Sequence, residues 1–184
     1  MIIEPLTAEQ LPRLQDILSG YTTNEKYRIE HRETVEEISF QLKLVSLPAP
    51  VTVSFDYIGA EELERYAGLI GNGCCFATLV DGQLIGATVA EPQEWNLTLW
   101  VWEILVDPAF KRQGVGRMLM ERLIDTAVSR KLRAIVCETQ SQNLPAIRFY
   151  RSMGFLLDGI DVSYYTNEDY DPRQNVAIFM KRKI

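Results

Sequence analysis

Residues 111–117, Lys-Arg-Gln-Gly-Val-Gly-Arg, combine three cations with two glycines in a basic island within an acidic chain. An apolar run at 99–106 stops at Asp107-Pro108. A short basic loop with two glycines follows, and the apolar spacing then becomes helical. That order predicts a strand, a phosphate-sized turn and a helix N-terminus. Such a turn exposes successive backbone N–H groups, with the partial positive charge of the helix dipole behind them. Gly114 and Gly116 let the backbone come close to a ligand. Lys111, Arg112 and Arg117 add full charges, and Gln113 and Val115 complete the stretch. The chemistry this suits is capture of a pyrophosphate. A P-loop would need four residues between its glycines and then Gly-Lys-Ser/Thr, and a dinucleotide fingerprint would need a third glycine where Leu119 stands.

The rest of the chain narrows the ligand. With 184 residues, 47% of them hydrophobic, residues 1–184 are expected to form a single domain with a sizeable core. The formal net charge of -6 argues against general affinity for nucleic acid, sharpens the basic island at 111–117, and favours a cationic partner. No apolar run approaches the roughly 18–20 residues that span a bilayer, so no membrane association is expected. Residues 1–5 lack the basic start and long apolar segment of a secretion signal. Three cysteines (Cys74, Cys75, Cys137) and one histidine (His31) have no metal-ligand spacing. Neither structural zinc nor Ser-His-Asp chemistry is expected, and the cysteine usage fits a reduced, cytoplasmic compartment.

The elements that must position these residues follow from periodicity. Residues 1–4 read as a short strand and 7–18 as a helix with Thr7 at its N-cap and Gln10 three residues on. Extended segments are predicted at 27–32 and 38–45, the second alternating through Ile38, Phe40, Leu42 and Leu44 before Pro48 and Pro50 break it. A further extended piece is expected at 51–55 and a helix at 60–70. Strands at 76–80 and 83–90 flank Asp81-Gly82, a strong hairpin signal. A strand at 97–106 completes a meander into the glycine turn. The following helix places Val115, Leu119, Leu123 and Ala127 on one face. A buried strand at 132–138, a helix at 143–153 stopped by Gly154, and strands at 155–165 and 175–183 close the chain.

Residues 111–116 resemble the Arg/Gln-x-x-Gly-x-Gly/Ala signature of the GNAT superfamily of N-acetyltransferases, departing at the first position, where Lys111 stands. Residues 143–155, with Asn143, Ala146, Tyr150, Gly154 and Phe155, resemble that family's Asn-x-x-Ala-x-x-x-Tyr-x-x-x-Gly-Phe block. The resemblance implies an α/β (α+β) fold: a central mixed, mostly antiparallel twisted sheet, flanked by helices and splayed at the cofactor site. It also implies acetyl-CoA as co-substrate, held through its pyrophosphate at 111–117.

Acetyl transfer to an amine requires a neutral amine. A lysine-like amine with a pKa near 10.4 costs about 4–5 kcal/mol to deprotonate at pH 7. Glu103, a carboxylate inside the apolar run, is the candidate proton acceptor; otherwise it lies on a solvated strand face. The resemblance makes Tyr150 the general acid for the departing thiolate, whereas spacing alone makes it an aromatic packed with Phe149 or Phe155. It likewise assigns the backbone of Leu105 and Val106, at a bulged strand end, to the thioester carbonyl and pantetheine. Asn143 would contact the pantetheine arm, cap its helix, or do both.

For the acceptor, Asp158, Asp161, Glu168, Asp169 and Asp171 interleave with Tyr164, Tyr165 and Tyr170 and meet no basic residue until Arg173. Carboxylates and aromatic faces suit an ammonium, and a solvated acidic loop is the plainer alternative. Trp95, Trp100 and Trp102 line the same cleft or pack in the core. Residues 138–144 and the Asp161-x-x-x-Tyr165 pattern resemble streptothricin (nourseothricin) acetyltransferases, which acetylate a β-lysine arm. At the position of that group's Ile-Glu-Asp-Ile-Ala-Val strand, Glu103 retains one acid and Trp102 replaces the other. The expected substrate is a small cationic amine, and the chain a monomer or homodimer. The alternatives are a protein or peptide N-acetyltransferase and a non-catalytic acyl-CoA-binding regulatory module.

Overall fold

The structure, a computed structural model, describes residues 1–166 and 175–184. The expectations for Glu168, Asp169, Tyr170, Asp171 and Arg173 lie outside the described residues.

A mixed seven-stranded sheet takes the order β1-β4-β5-β6-β7-β9-β8, and a separate two-stranded sheet pairs β2 with β3. The strands are β1 (Ile2–Pro5), β2 (Tyr21–Glu33), β3 (Ile38–Val53), β4 (Phe76–Val80), β5 (Gln83–Gln93), β6 (Thr98–Val106), β7 (Ala134–Gln140), β8 (Leu156–Asp161) and β9 (Ala177–Lys183). The helices are α1 (Leu14–Ile17), α2 (Ala60–Leu69), α3 (Val115–Ser129) and α4 (Leu144–Ser152). The chain forms two compact units. One comprises Met1–Gly20, Ser54–Cys137 and Lys181–Ile184; the other comprises Tyr21–Val53 and Glu138–Met180. Strands β7 and β9 each run from one unit into the other.

In the first unit β1, β4, β5 and β6 form an antiparallel run, and β6 then pairs in parallel with β7. Asp81 and Gly82 both adopt positive φ (51° and 79°), as a two-residue hairpin turn with right-handed strand twist demands. Val115, Leu119, Leu123 and Ala127 are buried as their spacing predicts. Helix α3 sits close on β5 because Gly86 has no side chain: a Cβ there would lie 2.7 Å from Val115 Cγ1 and 3.2 Å from the Leu105 carbonyl oxygen. The helix expected at 7–18 is instead a 3-10 segment, Ala8–Arg13, followed by the single α turn of α1. Pro12 supplies no N–H and its ring obstructs the preceding turn. The Gln10 side chain nonetheless accepts from Thr7 N–H at 2.9 Å, as the capping signal predicts.

The second unit contains the β2–β3 hairpin. Pro48 and Pro50 do not end β3. Pairing jumps from Glu25↔Ser46 to Thr23↔Val51, so both prolines sit in a bulged excursion where no ladder donor is required. The expected strand at 155–165 ends at Asp161, whose Oδ1 accepts from Ser163 N–H at 3.0 Å and turns the chain.

Candidate functional site

The first unit carries the glycine turn. Asp107 Oδ1 accepts from Ala109 N–H at 2.8 Å, and Asp107 N–H donates to the Ile85 carbonyl at 2.9 Å, fixing the exit from β6. The loop then passes through two left-handed residues, Arg112 (φ 63°) and Gly114 (φ 91°), before α3. The first bond of α3 runs from Met118 N–H to the Gly114 carbonyl at 3.0 Å. The N–H groups of Val115, Gly116 and Arg117 therefore open the helix without acceptors among the described residues. Among the described residues, chain neighbours aside, nothing lies within 4 Å of the position a Cβ of Gly114 would take. Open donors, open space and the helix dipole converge on one spot, which fits the pyrophosphate of acetyl-CoA.

The three cations of this stretch are not equivalent. Lys111 Nζ donates to the Gly20 carbonyl at 3.2 Å, and Arg117 stands 4.0 Å from Glu121 one turn along the helix. Arg112 is exposed and has no acceptor among the described residues. Gln113 Nε2 donates back to the Ala109 carbonyl at 2.8 Å and so braces the loop.

Glu103 lies on β6 behind this loop. It is half-buried, not on a solvated face, and its Oε1 accepts from the Tyr66 hydroxyl at 2.8 Å. Burial pushes its carboxyl above the usual carboxylate range, while the Tyr66 hydrogen bond and the Arg65 charge pull it back. The Arg65 guanidinium stacks 4.0 Å over the Trp102 ring, and Trp102 Nε1 donates to Glu91 Oε2 at 2.9 Å. Two neighbours in sequence thus both meet α2. The reason is a bulge, because the pairing moves from Val89↔Glu103 to Ala90↔Val101 across Trp102. The bulge was expected at Leu105–Val106, and those residues instead pair regularly with Ala87 and Gly86. The parallel ladder to β7 runs from Thr98↔Ala134 to Val101↔Cys137 and stops, so beyond it β6 is paired with β5 alone among the described residues.

The second unit carries Asn143, Tyr150, Asp161, Tyr164 and Tyr165. Asn143 caps α4, its Oδ1 accepting from Ala146 N–H at 3.2 Å. Tyr150 is buried, its ring 5.6 Å from Phe149 and 5.7 Å from Phe155. Asp161 is committed to the turn after β8. Tyr164 meets Tyr165 edge-on at 5.2 Å and Phe179 at 5.9 Å. Tyr165 donates its hydroxyl to Glu138, a half-buried carboxylate on β7 that burial pushes upward against the pull of that bond. Tyr21 donates to Gln140 Oε1 at 2.6 Å, and burial raises its hydroxyl to about 12.

Four residues escape a reading by sequence. Tyr66 and Arg65 carry no local sign that they serve Glu103, 37 and 38 positions away, and Gly86 looks like any strand glycine. Glu138 did carry a sign: it is a carboxylate in a buried strand, as Glu103 is. No group of three or more His, Cys, Asp or Glu among the described residues is placed to hold a metal. Among the described residues no helix is long and apolar enough to cross a membrane.

Residues 40–155 match the acetyltransferase (GNAT) family. A streptothricin acetyltransferase of Streptomyces lavendulae is 29% identical over 156 residues, covering 83% of this chain and 79% of the relative. The crystal structure of nourseothricin acetyltransferase superposes with a TM-score of 0.79 at 25% identity, covering 99% of this chain and 97% of its own. A protein of Bacillus anthracis str. Ames, solved in complex with acetyl coenzyme A, shares the fold with a TM-score of 0.76 at 22% identity, covering 100% and 97%.

Proposed function

The chain belongs to the acetyltransferase (GNAT) family, and on that premise we propose that it moves the acetyl group of acetyl-CoA to a primary amine of a small cationic acceptor of the streptothricin type. The matched residues fall in both compact units, and we read residues 1–184 as one cytoplasmic acetyltransferase domain. The observation that carries the reading is the row of open N–H groups at 115–117. Likeness to streptothricin acetyltransferases along most of the chain supports the acceptor class.

Acetyl-CoA supplies an acyl group activated as a thioester. Gly114, Val115, Gly116 and Arg117 present backbone donors to its pyrophosphate, Arg112 adds charge, and Gln113 and Lys111 hold the loop in shape. The backbone of Leu105 and Val106 and the side chain of Asn143 are assigned to the pantetheine arm. Glu103, already raised by burial, takes the proton from the incoming ammonium. Glu138 has the same character and is the rival for that role. Tyr150, whose reference pKa near 10 exceeds the roughly 8.5 of a thiol, gives a proton to the departing thiolate. Trp102, Asp161, Tyr164 and Tyr165 are assigned to acceptor recognition, with Tyr165 acting through Glu138.

The test is thiol release from acetyl-CoA against streptothricin, polyamines and peptides. Turnover on streptothricin is expected, together with loss of turnover and unchanged acetyl-CoA affinity in Tyr150→Phe. Turnover on peptides alone would move the acceptor to a protein. Binding without turnover on any amine would indicate a regulatory module.

A further inference from the structure

The β2–β3 hairpin carries a pattern that acetyl transfer does not use. Strand alternation and register place Tyr27↔Leu44, Ile29↔Leu42, His31↔Phe40 and Glu33↔Ile38 on one face and Arg28↔Lys43 and Glu30↔Gln41 on the other. The second face is a charged surface: Glu30 bridges Arg28 and Lys43 at 3.0 Å each. The first face is apolar and open, with Ile38 62%, Phe40 44% and Leu44 45% exposed. His31 stacks on Phe40 at 4.3 Å, making that stretch flat. A two-stranded ribbon is marginal alone in water, and an open apolar face on one calls for a cover.

The ends of this face identify the cover. At its foot lies α4. Arg151 rests 5.8 Å over the Tyr27 ring, and Arg148 pairs with Glu25, which shares the parity of Tyr27. Both arginines are exposed, and Arg151 forms no ion pair among the described residues. At its tip stand Glu33, Glu36 and Glu37, all exposed, on a turn held by Thr34 Oγ1, which accepts from the N–H groups of Glu36 and Glu37 at 3.2 and 3.0 Å. Foot and tip are six residues apart along the strands, about 20 Å. The face therefore runs from cationic through apolar to anionic. Turned by a two-fold axis, that sequence matches itself: the acidic tip of one copy meets the arginines of the other, and the apolar centres coincide.

We infer that this hairpin face is an isologous homodimer interface, with two copies packed antiparallel through Phe40, Leu44 and Ile38. A parallel alignment would bring tip against tip and repel. The inference stands independently of the acceptor assignment, because none of these residues belongs to the proposed acetyl-CoA or acceptor sites.

The experiment is sedimentation velocity of the full chain and three variants, with acetyl-CoA binding as the check of folding. The wild type is expected to sediment as a dimer, and Phe40→Glu as a monomer that still binds acetyl-CoA. Arg151→Glu should weaken the dimer at least tenfold, and Arg151→Glu combined with Glu33→Arg should restore it, since the swap re-pairs charges only in the antiparallel arrangement. A monomeric wild type overturns the inference and leaves the face to a different protein. A dimer untouched by Phe40→Glu, or no rescue by the charge swap, overturns it as well.

Discussion

Replacing Gly86 with alanine tests how β5 holds the head of α3. The added Cβ would stand 2.7 Å from Val115 Cγ1 and 3.1 Å from Leu119 Cδ1. Carbon contacts settle near 3.5–4.0 Å, so the first turn of α3 must retreat by roughly 1 Å. Val115 and Leu119 are 1% and 0% exposed, so the movement falls on their packed neighbours rather than on solvent. Overpacking of this kind costs about 1–3 kcal/mol. At about 2 kcal/mol, a chain of this size should melt roughly 4–8 °C lower by calorimetry. Because the displaced turn carries the open N–H groups of Val115, Gly116 and Arg117, titration calorimetry should also show weaker acetyl-CoA binding. Val115→Ala removes the closest obstacle, so in that background Gly86→Ala should cost much less than on its own. An unchanged melting temperature and affinity, or an equal cost in both backgrounds, would refute the clamp.

Gly114→Glu places a carboxylate beside the open N–H groups proposed to hold the pyrophosphate and forces an L side chain into φ 91°, a strain of about 1–2 kcal/mol. Acetyl-CoA binding should vanish by calorimetry, and undiminished affinity would remove the cradle from this loop. Tyr66→Phe deletes the donor that favours ionised Glu103, so the acid limb of kcat/KM should move to higher pH. A limb that stays in place and responds instead to Glu138→Gln would transfer the proton-acceptor role to Glu138. The Glu138 carboxyl titrates higher folded than unfolded, so its stabilising contribution is complete below the ordinary carboxylate range and lost as pH rises through the raised value. The melting temperature of Glu138→Gln relative to wild type should therefore climb from acid to neutral pH.

What could be read from the chain was whatever local chemistry determines. Asp81-Gly82 turns as its φ preferences require, Asn143 caps α4, and the stripe Val115, Leu119, Leu123 and Ala127 is buried. Pro12 and the Thr7–Gln10 capping signal point in opposite directions, and the proline prevails: the segment is 3-10 up to Arg13. Pro48 and Pro50 misled for the opposite reason: a proline interrupts a strand only where a ladder donor is needed, and that depends on the partner's register. The bulge at Trp102 is likewise a property of the β5–β6 pair. Glu103 and Glu138 carry the same legible sign, a carboxylate within an apolar strand. Tyr66 reaches Glu103 only through the packing of α2, which nothing in residues 60–69 announces.

The first compact unit is assembled from three stretches of chain, and its last, Lys181–Ile184, is separated from the rest by all of residues 138–180. Ile184 N–H reaches the Arg133 carbonyl at 3.0 Å across that separation. Closing a loop of about fifty residues costs on the order of 3–4 kcal/mol of chain entropy, due before the contacts it permits are made. Distant pairings of this kind slow folding. The unit bearing the glycine turn can form most of its sheet early, but its β7 edge waits for β9. An arrested or shortened chain would thus leave β7 open along the side that β9 covers, and an uncovered strand edge is where chains join wrongly.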